Sequence, residues 1–315
     1  DLYEYAGRGE AWPGLYGFGL VIPLTRDYAD GVAIALVTSG NENNFIHGYS
    51  NTVSGFGNKI LGGGISITGA YNFASGVDHA IAGGEHNALF GYAHIAEISS
   101  RNLISGVANE IHNTANSIIG GDLNYASAMD SSLIAGSNHT ATSASYSLIA
   151  GSSHTSQGSS AYNYIFGILN TVDYNSFYNI VSGSGVTCFK GNYNAIFGDS
   201  IVFGNSSNVG EGNLISGLYS TIGASLSTTT YGNLISGVSH TYSGYGSVIG
   251  GYFHNIRNSI YSAVFGSTAQ IFCQIDHTIM SGFGHYTAGV PTGTVSHSAI
   301  FGSSMVLDNG CTYSI

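Results

Sequence analysis

Charge is scarce in this chain. Its 315 residues hold 6 Lys and Arg against 17 Asp and Glu, for a formal net charge of -11. So few cations in an acidic chain exclude nucleic acid as a partner and disfavour an anionic membrane surface. Cysteine is rare too. Cys188, Cys273 and Cys311 are odd in number and show no CxxC spacing, so neither a disulfide framework nor a thiolate zinc site is expected. Cys188 reads as a small core residue. No apolar run reaches the roughly 18 residues of a spanning helix, so no membrane insertion is expected. No phosphate-cradling loop or nucleophile elbow stands out, and no cofactor is expected.

Two of the three prolines, Pro13 and Pro23, and the single Trp, Trp12, fall within residues 1–40. This segment reads as an N-terminal cap or joint, with a buried strand over 32–37, because a solenoid must cover its open edge. Residues 308–315 read as a C-terminal tail where a segment is expected to continue or to have been processed.

Glycine is abundant, 47 residues, and 43% of the chain is hydrophobic, the opposite of a disordered composition. The glycines are periodic. Asn-Leu-Ile-Ser-Gly (102–106) is followed by Ser-Ile-Ile-Gly-Gly (117–121) and by Ser-Leu-Ile-Ala-Gly at 132–136 and 147–151, with Gly106, Gly121, Gly136 and Gly151 spaced 15 apart. Extended over 41–307, the repeat glycines fall at 48, 63, 76, 91, 106, 121, 136, 151, 167, 183, 198, 217, 237, 251, 266, 282 and 302, seventeen in all. A 15-residue period is too short for a helical repeat. It predicts an all-β parallel solenoid whose coil has two short strands and two tight turns. Coils about 4.8 Å apart would make a rod of roughly 80 Å. Insertions at 201–213, 222–232 and 286–297 are loops where recognition is expected.

The residues three and two before the repeat Gly are both apolar in every repeat of this list, as in Leu103-Ile104, Ile118-Ile119 and Tyr164-Ile165. Adjacent strand residues face opposite ways. One fills the coil. The other forms an outward apolar stripe, which predicts association of identical rods.

The segments 51–63, 132–141 and 233–242 resemble the head repeats of trimeric autotransporter adhesins, the YadA-like head, and similar repeats of phage and viral tail fibres. The resemblance covers roughly 41–307. It implies a left-handed parallel β-roll assembled as a homotrimer and used for surface attachment. The chain carries neither a heptad stalk nor an anchor barrel, which favours a fibre. The expected function is therefore a non-enzymatic, extracellular or virion-surface fibre head, foremost a phage or viral tail fibre. A bacterial adhesin head and a purely structural filament are the alternatives. Its expected partners are a host-surface glycan or protein receptor and other fibre or virion components.

Three candidate features remain. The third residue after the repeat Gly is His or Asn in one row: Asn51, His79, His94, Asn109, Asn124, His139, His154, Asn170, His240, His254 and His285. An ion ladder and a turn ladder both suit stacked imidazoles. Asn alternates freely with His, as a turn ladder allows, since both accept left-handed geometry and bond neighbouring backbone. No metal is assigned. If the row faced a subunit interface, protonation near pH 6 would loosen the assembly. Among the 22 tyrosines, Tyr174, Tyr178, Tyr242 and Tyr245 are candidate glycan contacts. A depolymerase needs two carboxylates roughly 5–9 Å apart. No close Asp/Glu pair recurs beyond residue 40, so catalysis is not expected.

Overall fold

The computed structural model describes residues 36–37 and 43–308, apart from 129, 144, 174, 205–209, 223–229, 240, 243, 257–258, 261, 272–273, 277–278, 285, 289–293, 297–298 and 305. Every paired strand runs parallel to its counterpart one coil on, and no helix occurs among the described residues. The architecture is a parallel β-solenoid of about 13 turns. Leu36–Val37 pairs with Thr52 and Val53, so stacking begins inside the segment read as a cap. The rest of that segment, the tail beyond Asp308 and residues 205–209, 223–229, 289–293 and 297 of the insertions lie outside the described residues.

One coil shows the rule. Leu103–Val107 forms the first side and Glu110–His112 the second. A third side is a single residue, Ala115, bridged in parallel to Ser100 below and Asp130 above. The coil therefore has three sides, where two strands and two turns were expected. Each corner begins with a left-handed residue: Ala108 at φ 50°, Asn113 at 49° and Asn116 at 55°. None is glycine, so no glycine pattern marked the corners. What holds them is the coil below. Their backbone N–H groups donate to the carbonyls of Tyr92, Glu97 and Ser100 at 2.8, 2.9 and 3.0 Å. From Gly191 onward the third side widens into a separate seven-stranded sheet, while the first two sides share one of 33 strands.

Each corner's second residue turns inward, as do the second residue of the first side and the middle residue of the second. Ile104, Asn109, Ile111, Thr114 and Ser117 are all buried. Stacked in register, Ile104, Ile119, Ile134, Ile149 and Ile165 make one core column, and Ile111, Ala126, Ala141, Val172 and Cys188 lie on the second side's. Burial pushes the Cys188 thiol up to about 12, so it stays a neutral core group. Each fully buried Ile contributes about 1.5–3 kcal/mol relative to exposure.

The repeat glycine answers to a steric demand. Gly106 has φ 120°, and a Cβ placed there would sit 1.9 Å from the Gly121 carbonyl oxygen. The register corrects one rung. Gly48 pairs with Gly62, and Gly62 with Gly76, so Gly63 is not the repeat glycine. Adjacent glycines hid the choice. The outward residue of that coil is consequently Lys59, and the apolar pair is not universal.

Gly106→Ala is expected to destabilise the rod by more than about 3 kcal/mol, since backbone must move in two coils. Gly120→Ala meets nothing within 4 Å of the new Cβ and should change stability by less than about 1 kcal/mol. Urea unfolding of the two variants, side by side, checks this difference.

Candidate functional site

The His/Asn row lies inside the coil. Asn51, His79, His94, Asn109, Asn124, His139, His154 and Asn170 are all buried, one per coil, with Ile65 between Asn51 and His79. The left-handed residue is the one before: Ser50, Asp78, Ala93, Ala108, Leu123, Asn138, Ser153 and Leu169. Left-handed tolerance thus does not explain the row. Hydrogen bonding does. The inward residue's own N–H has no strand partner, and wherever the coil below holds Asn or His in this row, that side chain accepts it. Asn124 N donates to Asn109 Oδ1 at 3.0 Å, His139 N to Asn124 Oδ1 at 3.1 Å and His154 N to His139 Nδ1 at 3.2 Å. The repeat glycine makes room: a Cβ on Gly136 or Gly151 would lie 2.7 Å from Nε2 of His139 or His154. His240 and His285 lie outside the described residues, and of His254 only the backbone is described.

This geometry assigns the tautomer. A backbone N–H can only donate, so Nδ1 of His79, His94, His139 and His154 carries the lone pair. Nε2 faces a carbonyl of its own coil, for instance Phe90 O at 2.8 Å from His94 and Ala150 O at 2.9 Å from His154, and donates to it. Both nitrogens are used, and the lone pair an ion would need is taken. The rings stack in pairs, His79 on His94 and His139 on His154, each with centroids 5.0 Å apart. Burial lowers the pKa of all four, against the opposing effect of each ring's backbone hydrogen bond. The row faces the coil interior, so its titration acts on the fold and not on a subunit interface.

A second buried ladder escaped the sequence reading. Asn58, Asn72, Asn87 and Asn102 stack at the corner before the first side. Each backbone N–H donates to the Oδ1 below at 2.7–3.1 Å, beginning from Asn44. It resumes with Asn179, Asn194, Asn213 and Asn233. Its signal was the Asn that opens Asn-Leu-Ile-Ser-Gly.

The outer surface carries the features able to meet another molecule. On the first side, Leu103, Ile118, Leu133, Tyr164, Ile180, Leu214 and Leu234 are exposed, at 39–50%. In-register pairing aligns them as one apolar column. At the neighbouring corner Tyr146, Tyr162, Tyr178 and Tyr193 stack face to face, with centroids 5.0, 4.7 and 4.9 Å apart and planes within 6°. All four are left-handed, φ 51–58°. Stacking of about 0.5–1.5 kcal/mol per pair offsets much of the roughly 1–2 kcal/mol left-handed penalty of each residue. Tyr178 is sandwiched, so a sugar can reach its edge and hydroxyl but not its face. Tyr174 lies outside the described residues, and the side chains of Tyr242 and Tyr245 are not described.

On the second side, coil stacking brings together two carboxylates that are 13 residues apart in sequence. His112 Nδ1 meets Glu97 Oε2 at 2.8 Å and Nε2 meets Glu110 Oε1 at 2.7 Å. His112 stands in register with Glu97 of the coil below, so the arrangement comes from coil stacking and not from sequence spacing. The hydrogen bond to Glu110 is the main cause raising the His112 pKa, followed, after opposing desolvation, by that to Glu97. Protonated His112 donates from both nitrogens and ties the two acids together.

No protein-family model matches the chain, and no curated protein matches it significantly.

The two kinds of histidine predict opposite pH effects. The buried four have folded pKa values below the unfolded value of 6.5, so the unfolded chain binds more protons as pH falls through 6.5. Their contribution is intact above that pH and is lost on acidification. His112 has a raised pKa. Its small surface contribution is present below 6.5 and fades as pH rises through the folded value. The buried rows should win. The melting temperature is expected to fall by several degrees from pH 7 to pH 5. His79→Asn, His94→Asn, His139→Asn and His154→Asn combined should keep the ladder and remove most of that fall, as read by thermal melts at both pH values.

Proposed function

We propose that the chain is the head of a non-enzymatic homotrimeric fibre that attaches its carrier, foremost a virion, to a host surface. The observation that carries this reading is the exposed apolar column on the first side, from Leu103 to Leu234. It runs unbroken over four coils as Leu103, Ile118, Leu133 and Leu148, with Leu148 half-buried. A lone rod in water has no use for such a stripe, whereas cyclic association buries it in every subunit. Supporting a rod of seventeen coils is the glycine rung, whose pairing continues to Gly282 with Gly302. The left-handed sense of the roll, the extracellular or virion-surface location and the fibre partners belong to the same proposal. The receptor in this reading is a host glycan or protein. A spacer rod is the second reading, favoured by the coil regularity from Gly91 to Gly151.

Light scattering after gel filtration tests the assembly. The wild-type chain is expected at three times its 32.6 kDa mass. Leu103→Asp, Leu133→Asp and Ile180→Asp together should give a folded monomer, because those side chains are already exposed in the single rod. A monomeric wild type would sink the trimer. Adsorption of the intact assembly to host cells then separates attachment from the spacer reading.

A further inference from the structure

The tyrosine stack ends on an open ring. Tyr193 is its last member and its most exposed, at 65% against 40% for Tyr162. In the next coils the same corner position holds Gly212, Gly232 and Gly246, with φ of 65°, 59° and 55°. Glycine is not obligatory at this corner. Tyr71, His86, Arg101, Asn116 and Ser131 adopt the same left-handed conformation in earlier coils. Nor is crowding the reason. A Cβ on Gly212 would have its nearest neighbour, Gly232 N, at 4.0 Å, and one on Gly232 would meet nothing within 4 Å. Three side chains are therefore missing where the column could carry them. The result, among the described residues, is a step: the far face of Tyr193 as a ledge, with bare glycine backbone beyond it.

Polar groups border this step. Asn192 precedes Tyr193, and its Nδ2 donates to Glu211 Oε1 at 3.4 Å. Its Oδ1 accepts the Phe177 N–H at 3.2 Å, which fixes the amide. Glu211 precedes Gly212 and pairs in register with Asn192 on one side and the exposed Tyr231 on the other. An aromatic face backed directly by Tyr178, with the Glu211 carboxylate held by Asn192 in the adjoining coil, suits a flat molecule with an apolar face and a rim of hydroxyls. That is the chemistry of a pyranose. The carboxylate accepts from hydroxyls, and it repels an anionic sugar, as does a chain of net charge -11.

We propose that Tyr193, Glu211 and the step over Gly212 and Gly232 form a binding site for an uncharged hexopyranose of a host-surface glycan. The sugar lies with its C–H face on the Tyr193 ring and its hydroxyls toward Glu211. The inference deepens the attachment reading and rests on it for its biological sense, though the site needs only one subunit. It differs from Tyr178, whose faces are both closed within the stack.

Saturation-transfer NMR on the intact protein tests it, with glucose, galactose, N-acetylglucosamine and their β-linked disaccharides as neutral probes and glucuronic acid as the anionic one. At least one neutral probe is expected to receive saturation, and glucuronic acid none. Gly212→Asn keeps a left-handed-tolerant residue but fills the step, and Tyr193→Ser removes the ledge. Each should weaken the best neutral probe at least tenfold. Tyr146→Ser alters the other end of the stack, where the hydroxyl is tied to Asp130, and should leave binding within twofold. Thermal melts confirm that each variant is folded. No neutral probe binding the wild type, glucuronic acid binding best, or Gly212→Asn binding as wild type would each overturn the site. None of these outcomes depends on the mass measured by light scattering, so the site and the trimer stand or fall separately.

Discussion

The structure depends on an inward-turning backbone N–H at the corner of each coil. At that corner the chain leaves one strand and has not entered the next, so no ladder partner is available. A buried donor without a partner is too costly to leave. In most coils of the row a side chain from the coil below supplies the acceptor, as Asn109 Oδ1 does for Asn124 and His139 Nδ1 does for His154, while Ile65, Val186 and Ile201 interrupt it. From this demand follow the choice of Asn or His, the glycine three residues earlier that clears space for it, and the depressed pKa of each buried ring. Two such ladders, one on each flank of the first side, hold the register alongside the isoleucine core.

Because the constraints point inward, the outward positions are released. The outward column that contains Leu103 includes Leu, Ile, Tyr, Phe, Ala and Lys, and the corner column varies from Gly to Tyr and Arg. Each coil contacts chiefly its neighbours, so a local change outside spreads little along the rod. That freedom lets one face carry an apolar column for self-association, while a corner two residues away carries stacked tyrosines that end abruptly in glycines.

Much of the fold was legible in the sequence. The 15-residue period, the parallel stacking, the glycine rung and the adjacent apolar pairs such as Leu103-Ile104 all follow from pattern, because identical coils repeat identical demands. The corners were harder to read. Ala108, Leu123 and Tyr178 give no hint of a left-handed φ, since a hydrogen bond from the coil below holds it in place of glycine. Gly62 and Gly63 could not be told apart without the pairing. The His row and its bonds to neighbouring backbone were legible, but the left-handed conformation belongs to the residue one position earlier. The Asn ladder was in plain view as the first letter of a motif whose glycine drew the attention.

The sequence by itself determined a periodic, all-β chain with an apolar pair in nearly every repeat, because periodicity and side-chain polarity are one-dimensional properties. Only the tertiary structure decided which of the pair is buried, that the imidazoles accept at Nδ1 inside the coil, that Glu97 and Glu110 share His112, and that the tyrosine stack closes on Tyr178 and opens on Tyr193. These are relations between coils. They depend on a register that places residues 14 to 20 apart in the chain side by side, and no single repeat contains them.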